Sequence, residues 1–210
     1  MAEPRPIADG GRNLYDEAWL DPTEAAALYA TLRDEVPWEQ RSIRIAGRVV
    51  QEPRLTAWFG DPGAAYTYSG MTLSPLPWTP ALSALRGRVE IASGVPLNSV
   101  LLNWYRSGSD SMGWHADAED ELGPDPVIAS VSLGATRRFV LKYVGRAIGV
   151  ENIELDLTGG SLLVMAGTTQ RYWRHAVPKR RGDAGSRINL TFRRILIGDP
   201  DKGSWSRAAF

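Results

Sequence analysis

The sequence predicts a mostly β domain, an antiparallel sandwich or jelly roll with flanking helices. Three observations predict it. Two capped helical segments lie in the first half of the chain, about eight short strand-like runs carry most of the remainder, and no β-α-β alternation links them. A chain of 210 residues also buries enough surface to sustain one core without disulfides.

Each element has a local cause. Residues 1–15 are polar and rich in Pro and Gly, which predicts a loose arm. Asp21-Pro22-Thr23-Glu24 supplies an N-cap, a proline at the first helical position and a capping-box glutamate. Leu28, Leu32 and Val36 then recur every four residues until Pro37 stops the helix. Residues 43–50 read as a hairpin turning near Ala46-Gly47, and 55–59 as a strand. A second helix opens at Thr79-Pro80, places Leu82, Leu85, Val89 and Ala92 on one stripe, and ends at Gly94. Strands are predicted over 99–105, 128–133, 138–144, 153–157, 161–165, 172–177 and 188–197, separated by Gly, Pro and Asp. One domain over 16–197 and a tail over 198–210 are expected.

Composition excludes several function classes. Cysteine is absent, which removes disulfides, thiol catalysis and cysteine-ligated metal sites and fits a reducing compartment. No run of 18 apolar residues predicts a membrane span, and the N-terminus lacks the apolar core of a signal peptide, so no membrane association is expected. Arg- and Ala-heavy usage suits a GC-rich bacterial genome, and a cytoplasmic location is the expectation. Lys+Arg and Asp+Glu both number 24, so any nucleic-acid face must be local. With two histidines in the chain, imidazole chemistry must use His115 and His175.

His115-Ala116-Asp117 places an imidazole and a carboxylate on one face if the segment is extended. His175 lies on another strand-like run. Two histidines and one carboxylate form the facial set that suits non-haem Fe(II), although a buried histidine bonded to an aspartate is the more ordinary outcome. In Arg187-Ile188-Asn189-Leu190-Thr191-Phe192-Arg193, polar and apolar residues alternate. Its two arginines suit the two ends of a dicarboxylate, because guanidinium pairs bidentately with carboxylate and is always charged. A solvated sheet face would show the same alternation. Asn103-Trp104-Tyr105 adds an amide and a phenol at i and i+2.

The order Asn103-x-Tyr105, His115-x-Asp117, His175, then Arg187-x-Asn189-x-Thr191-Phe192-Arg193 resembles the AlkB-like Fe(II)/2-oxoglutarate-dependent dioxygenases. The resemblance covers roughly residues 38–197. Pro53-Arg54, Phe59-Gly60-Asp61, the run Tyr66 to Gly70, and Leu73-Ser74-Pro75 resemble the branch that repairs duplex DNA. The resemblance implies a double-stranded β-helix (jelly roll) with Fe(II) held by His115, Asp117 and His175. It implies that Arg187 and Tyr105 hold the distal carboxylate of 2-oxoglutarate, with Arg193 and Asn103 near the other end and Asn189 and Thr191 lining the pocket. The implied reaction consumes O2, converts 2-oxoglutarate to succinate and CO2, and hydroxylates an N-methyl group that is then lost as formaldehyde.

The implied substrates are 1-methyladenine and 3-methylcytosine in DNA, both cationic. Glu119 matches a glutamate that contacts the lesion, Tyr66 its partner and Tyr68 an aromatic that stacks the flipped base, with Ser69 beside them. Lys179, Arg180 and Arg181 resemble a phosphate-gripping loop, and Arg54 a residue that reaches toward DNA. The hairpin tip Ile45-Ala46-Gly47 departs from the branch, whose tip carries a bulky wedge. Alanine cannot fill the gap left by a flipped base, so Ile45 or Arg44 takes that part or the enzyme prefers single strands. A monomer acting on single- or double-stranded alkylated DNA is expected. RNA or tRNA demethylation and a non-enzymatic cupin-like metal module are the alternatives.

Overall fold

In the computed structural model the chain is described over residues 3–45, 48–64, 66–68, 71–182 and 184–196. The first half holds β1 (Arg5–Ile7), β2 (Gly11–Asp16), α1 (Pro22–Glu35), β3 (Ser42–Ile45), β4 (Arg48–Gln51), β5 (Leu55–Gly60), β6 (Tyr66–Tyr68), β7 (Met71–Leu73) and α2 (Pro80–Ser93). The second half holds β8 (Ser99–Tyr105), β9 (Met112–His115), β10 (Ile128–Gly134), β11 (Arg137–Tyr143) and β12 (Ile153–Leu157). It closes with β13 (Leu162–Gly167), α3 (Thr169–Tyr172), β14 (Trp173–Val177) and β15 (Arg187–Arg193).

Both long helices start where their caps predict. The Asp21 carboxylate accepts from the Thr23 and Glu24 amides, and the Thr79 hydroxyl accepts from the Leu82 amide. Glu24 does not close a capping box; its carboxylate engages Arg88 on α2 and so links the two helices. Gly94 ends α2 at φ +69°, a conformation that a side chain disfavours.

Seven strands form one antiparallel sheet in the order β1-β2-β13-β10-β15-β8-β5, and four form a second in the order β12-β11-β14-β9. Two hairpins, β3-β4 and β6-β7, stand apart. Leu32, Leu82, Leu85 and Val89 of the helices belong to one apolar cluster with Val100, Leu102, Ile188, Leu190 and Phe192 of the large sheet. A second cluster, including Phe139, Leu141, Leu163 and Trp173, fills the space between the sheets. The large sheet is therefore buried on both faces, and the polar alternation on β15 points inward between the sheets.

Several expectations change. Residues 5–7 and 11–16 are not a loose arm: β2 pairs with β13 along six positions and extends the large sheet. The predicted strand over 188–197 spans Arg187–Arg193, and 172–177 divides into the one-turn α3 and β14. His115 and Asp117 do not share a strand: β9 ends at His115, and Asp117 lies in the loop beyond it. Short strands β6, β7 and β9 have too few residues for alternation to reveal them.

Candidate metal and oxoacid site

Strand register assembles the polar wall. Arg187 lies opposite Tyr105, Asn189 opposite Asn103, and Arg193 opposite Ser99 on β8. On the other side, Thr191 pairs with Ser130 and Asn189 with Ser132 of β10. Because side chains alternate with period two, these residues share the inward face. Asn189 accepts from Ser130 Oγ at 3.0 Å and donates to Thr191 Oγ1 at 2.8 Å, while Arg187 Nη2 donates to Ser132 Oγ at 2.9 Å and to Asn189 Oδ1 at 2.5 Å. Asn189 and Thr191 thus orient Arg187.

Arg187 is fully buried, and its Nε and Nη1 have no hydrogen-bond partner. Burial pushes its pKa down to about 10, so it remains a cation at neutral pH. Among the described residues no carboxylate pairs with it. Isolating a charge in this way costs several kcal/mol unless an anion compensates, roughly the penalty of any unpaired buried ion. The guanidinium lies 5.2 Å from the Tyr105 ring centre, with the phenol on the same wall. Two open donors on a buried guanidinium beside a phenol fit one carboxylate of an oxoacid.

His115, Asp117 and His175 meet near the other end of that wall, with their potential ligand atoms all within 4.8 Å of one another. β14 and β9 pair His175 directly with His115, and the imidazole centres lie 4.2 Å apart. His175 Nε2 and Asp117 Oδ2 are 3.7 Å apart, beyond hydrogen-bond range but consistent with two donors directed at one ion. His115 Nδ1 donates to the Gly113 carbonyl at 2.9 Å, which leaves Nε2 as the donor to metal.

The protonation states suit a metal. Burial, reinforced by neighbouring His115, pushes His175 down to about 3, so its imidazole is neutral. Burial alone would raise the Asp117 carboxyl, but Arg193, with the two histidines, more than offsets it and holds the group below its ordinary range. Asp117 is 2% and His175 5% exposed. Neutral imidazoles and an ionised carboxylate are the forms that bind divalent iron. The three residues therefore fit Fe(II), and they share a small cavity of about 40 Å³ with Asn103, Tyr105, Asn189 and Thr191.

A cleft of about 780 Å³ opens beside this centre, with His115, Asp117, Glu119, Arg54, Glu52 and Trp58 among its walls. Glu119 is half-buried and faces the cleft. Tyr66 and Tyr68 lie on the backbone of β6; their side chains, together with Ser69, Ala46 and Gly47, lie outside the described residues. Ile45 ends β3 opposite Arg48. Lys179, Arg180 and Arg181 are exposed on the loop after β14.

Arg54 requires correction as a surface DNA contact. It is only 6% exposed, its Nε donates to Asn103 Oδ1 at 2.7 Å, and its Nη2 lies 3.2 Å from the Glu52 carboxylate. A guanidinium held this way belongs to the cleft wall. Arg193, expected at the oxoacid, pairs with Asp117, leaving Nε without a partner.

Two residues escape sequence reasoning. Gln170 on α3 is buried, and its Oε1 accepts the Asp117 amide at 3.0 Å. Arg137 is buried and donates to the carbonyls of Ser107, Asp110 and Pro178. No motif marks either one: Gln170 sits on a single helical turn, and the hydrogen bonds of Arg137 go to backbone carbonyls.

A family model described as the 2OG-Fe(II) oxygenase superfamily matches residues 14–193. The human alpha-ketoglutarate-dependent dioxygenase alkB homolog 3 is 41% identical over 194 residues, covering 89% of this chain and 67% of that protein. The human DNA oxidative demethylase ALKBH2 is 40% identical over 184 residues, covering 83% and 70% respectively. The solved structure of OsALKBH1 superposes with a TM-score of 0.61 at 18% identity, covering 90% of this chain and 99% of that one, a likeness of fold.

Proposed function

Because the chain belongs to the 2OG-Fe(II) oxygenase superfamily, we propose that it demethylates N-alkylated bases in DNA by oxidation, consuming 2-oxoglutarate and O2. The observation that carries the oxoacid assignment is the buried Arg187 with two open donors and no carboxylate partner. The DNA assignment rests on two sets of relatives, one of them named for DNA oxidative demethylation, at about 40% identity over most of the chain.

In this reading His115, Asp117 and His175 hold Fe(II). Bound iron supplies the O2 chemistry that couples oxidative decarboxylation of 2-oxoglutarate to hydroxylation of the methyl group. Arg187 and Tyr105 grip the distal carboxylate, while Asn103 and Arg193 face the keto-acid end. Arg54 accounts for the Asn103 oxygen, so the amide NH2 remains to donate to the oxoacid. Glu119 in the cleft wall favours a cationic methylated base over a neutral one, and Tyr66 and Tyr68 supply its flanking aromatics, as the family resemblance implies. The hydroxymethyl product loses formaldehyde and leaves the unmodified base. Lys179, Arg180 and Arg181 supply sequence-independent phosphate contacts.

Mass spectrometry of oligonucleotides carrying 1-methyladenine or 3-methylcytosine, incubated with Fe(II), ascorbate and 2-oxoglutarate, tests this. The expected result is loss of one methylene per lesion with stoichiometric formaldehyde. Turnover of 2-oxoglutarate with no change in either oligonucleotide overturns it. Alanine at position 46 of the sequence, where the duplex-repair branch carries a bulky wedge, supports a weaker duplex preference than that branch shows. A duplex preference that Ala46→Phe leaves unchanged counts against that part. Parallel methylated RNA substrates decide between DNA and RNA, and the proposed acting unit is a monomer. No described helix is long and apolar enough to cross a membrane.

A further inference from the structure

One exposed aromatic has no part in the site above. Trp114 is 54% exposed on β9, an edge strand of the small sheet. Its neighbours Met112 and His115 line the cleft, so β9 forms a lip with the cleft on one face and Trp114 on the other. The β14 register puts Ala176 beside Trp114, at the irregularity between the His175–His115 and Val177–Met112 pairs. On the same outward face, Lys142 and Arg174 form a cross-strand pair one pleat away. The nearest acids of this sheet face, Glu154 and Asp156, lie on β12 at the opposite edge, and Glu154 is engaged by Arg138. The rim near Trp114 therefore combines a flat indole with two cations, and the exposed Lys179, Arg180 and Arg181 continue from the same strand.

We infer that Trp114 stacks on an unpaired nucleotide where a single strand leaves the cleft over the β9 lip, with Lys142 and Arg174 beside its phosphates. This rests on the nucleic-acid reading above. Aromatic platforms flanked by cations bind single strands because every unpaired base presents a π-face, whereas a duplex hides it. A second copy of this chain fits less well, since a two-fold contact would set the Lys142–Arg174 pair against itself.

The test measures binding of single-stranded methylated oligonucleotides of three and ten nucleotides to the full chain, by fluorescence anisotropy at two salt concentrations. The wild type gains affinity with length. Trp114→Ala loses roughly ten-fold of that gain, the size of one lost base stack, and Trp114→Phe recovers most of it. Lys142→Gln lowers the salt slope by about one. Thermal midpoints matching the wild type establish that the variants fold. An undiminished length gain in Trp114→Ala overturns the inference. So does a concentration-dependent wild-type dimer that Trp114→Ala abolishes while oligonucleotide affinity stays unchanged. If the wild type releases formaldehyde from methylated DNA while Trp114→Ala keeps the full length gain, the inference fails alone. A wild type that binds no oligonucleotide ends both.

Discussion

Asp117 shows how much of the centre depends on residues without a motif. Once its segment leaves β9, no strand ladder fixes its backbone. That task falls to Gln170, whose buried amide accepts the Asp117 N–H, and to Arg193, which pairs with the carboxylate. The three residues of this cluster are legible in the sequence because His115-x-Asp117 followed by a distal His175 is the order that the family resemblance singles out. The residue that aims one of them is not, since any buried glutamine looks alike in sequence. Gln170→Leu keeps the volume and removes the acceptor. The expected outcome is Fe(II) affinity lower by roughly ten- to a hundred-fold, as for other residues that orient metal ligands. Anaerobic metal titration measures it, and Gln170→Glu restores an acceptor. Unchanged affinity in Gln170→Leu would show that Arg193 alone positions Asp117.

At the scale of elements, β15 was legible in pattern and ambiguous in placement. Its alternation shows that Arg187, Asn189, Thr191 and Arg193 share a face, yet a solvated edge strand would alternate identically. The distinction comes from neighbours: β15 lies between β10 and β8, its apolar residues meet the helices, and its polar face closes against the small sheet. Arg137 at the start of β11 joins that sheet to two loops. It bonds the carbonyls of Ser107 and Asp110 on the loop before β9, and of Pro178 at the base of the Lys179–Arg181 loop. Its guanidinium also lies 5.5 Å from the centre of the Tyr105 ring, so the basic loop is tied to the oxoacid wall through one side chain. Arg137→Leu strands three carbonyls and is expected to cost on the order of 3 kcal/mol or more. Equilibrium urea denaturation reads that loss. A change below about 1 kcal/mol would mean that water replaces the clamp without penalty.

For the whole molecule, the zero net charge hides an uneven distribution. Exposed cations collect on the loop after β14, while the interior holds Arg187, without a carboxylate partner among the described residues, and a His/Asp/His cluster in which a neutral His175 lies beside an ionised Asp117. That centre makes stability depend on pH when no metal is bound. His175 has a folded pKa of about 3 against an ordinary 6.5, chiefly because burial disfavours its charged form. Well above 6.5 neither the folded nor the unfolded chain carries that proton, and His175 contributes no slope. Below 6.5 the unfolded chain takes up the proton and the folded chain does not, so stability falls with pH down to about 3. Asp117 acts in the same direction lower down: Arg193 overcomes the effect of burial and depresses its pKa, and the stability this gives is lost as acid protonates it. The chelated protein is therefore expected to melt at progressively lower temperature from pH 7 to pH 4, and His175→Gln flattens the upper part of that slope. Differential scanning calorimetry in the presence of a chelator makes the comparison. A metal-free melting temperature independent of pH between 7 and 5, or an equal slope in His175→Gln, would show that the imidazole is not held neutral by its burial between the sheets.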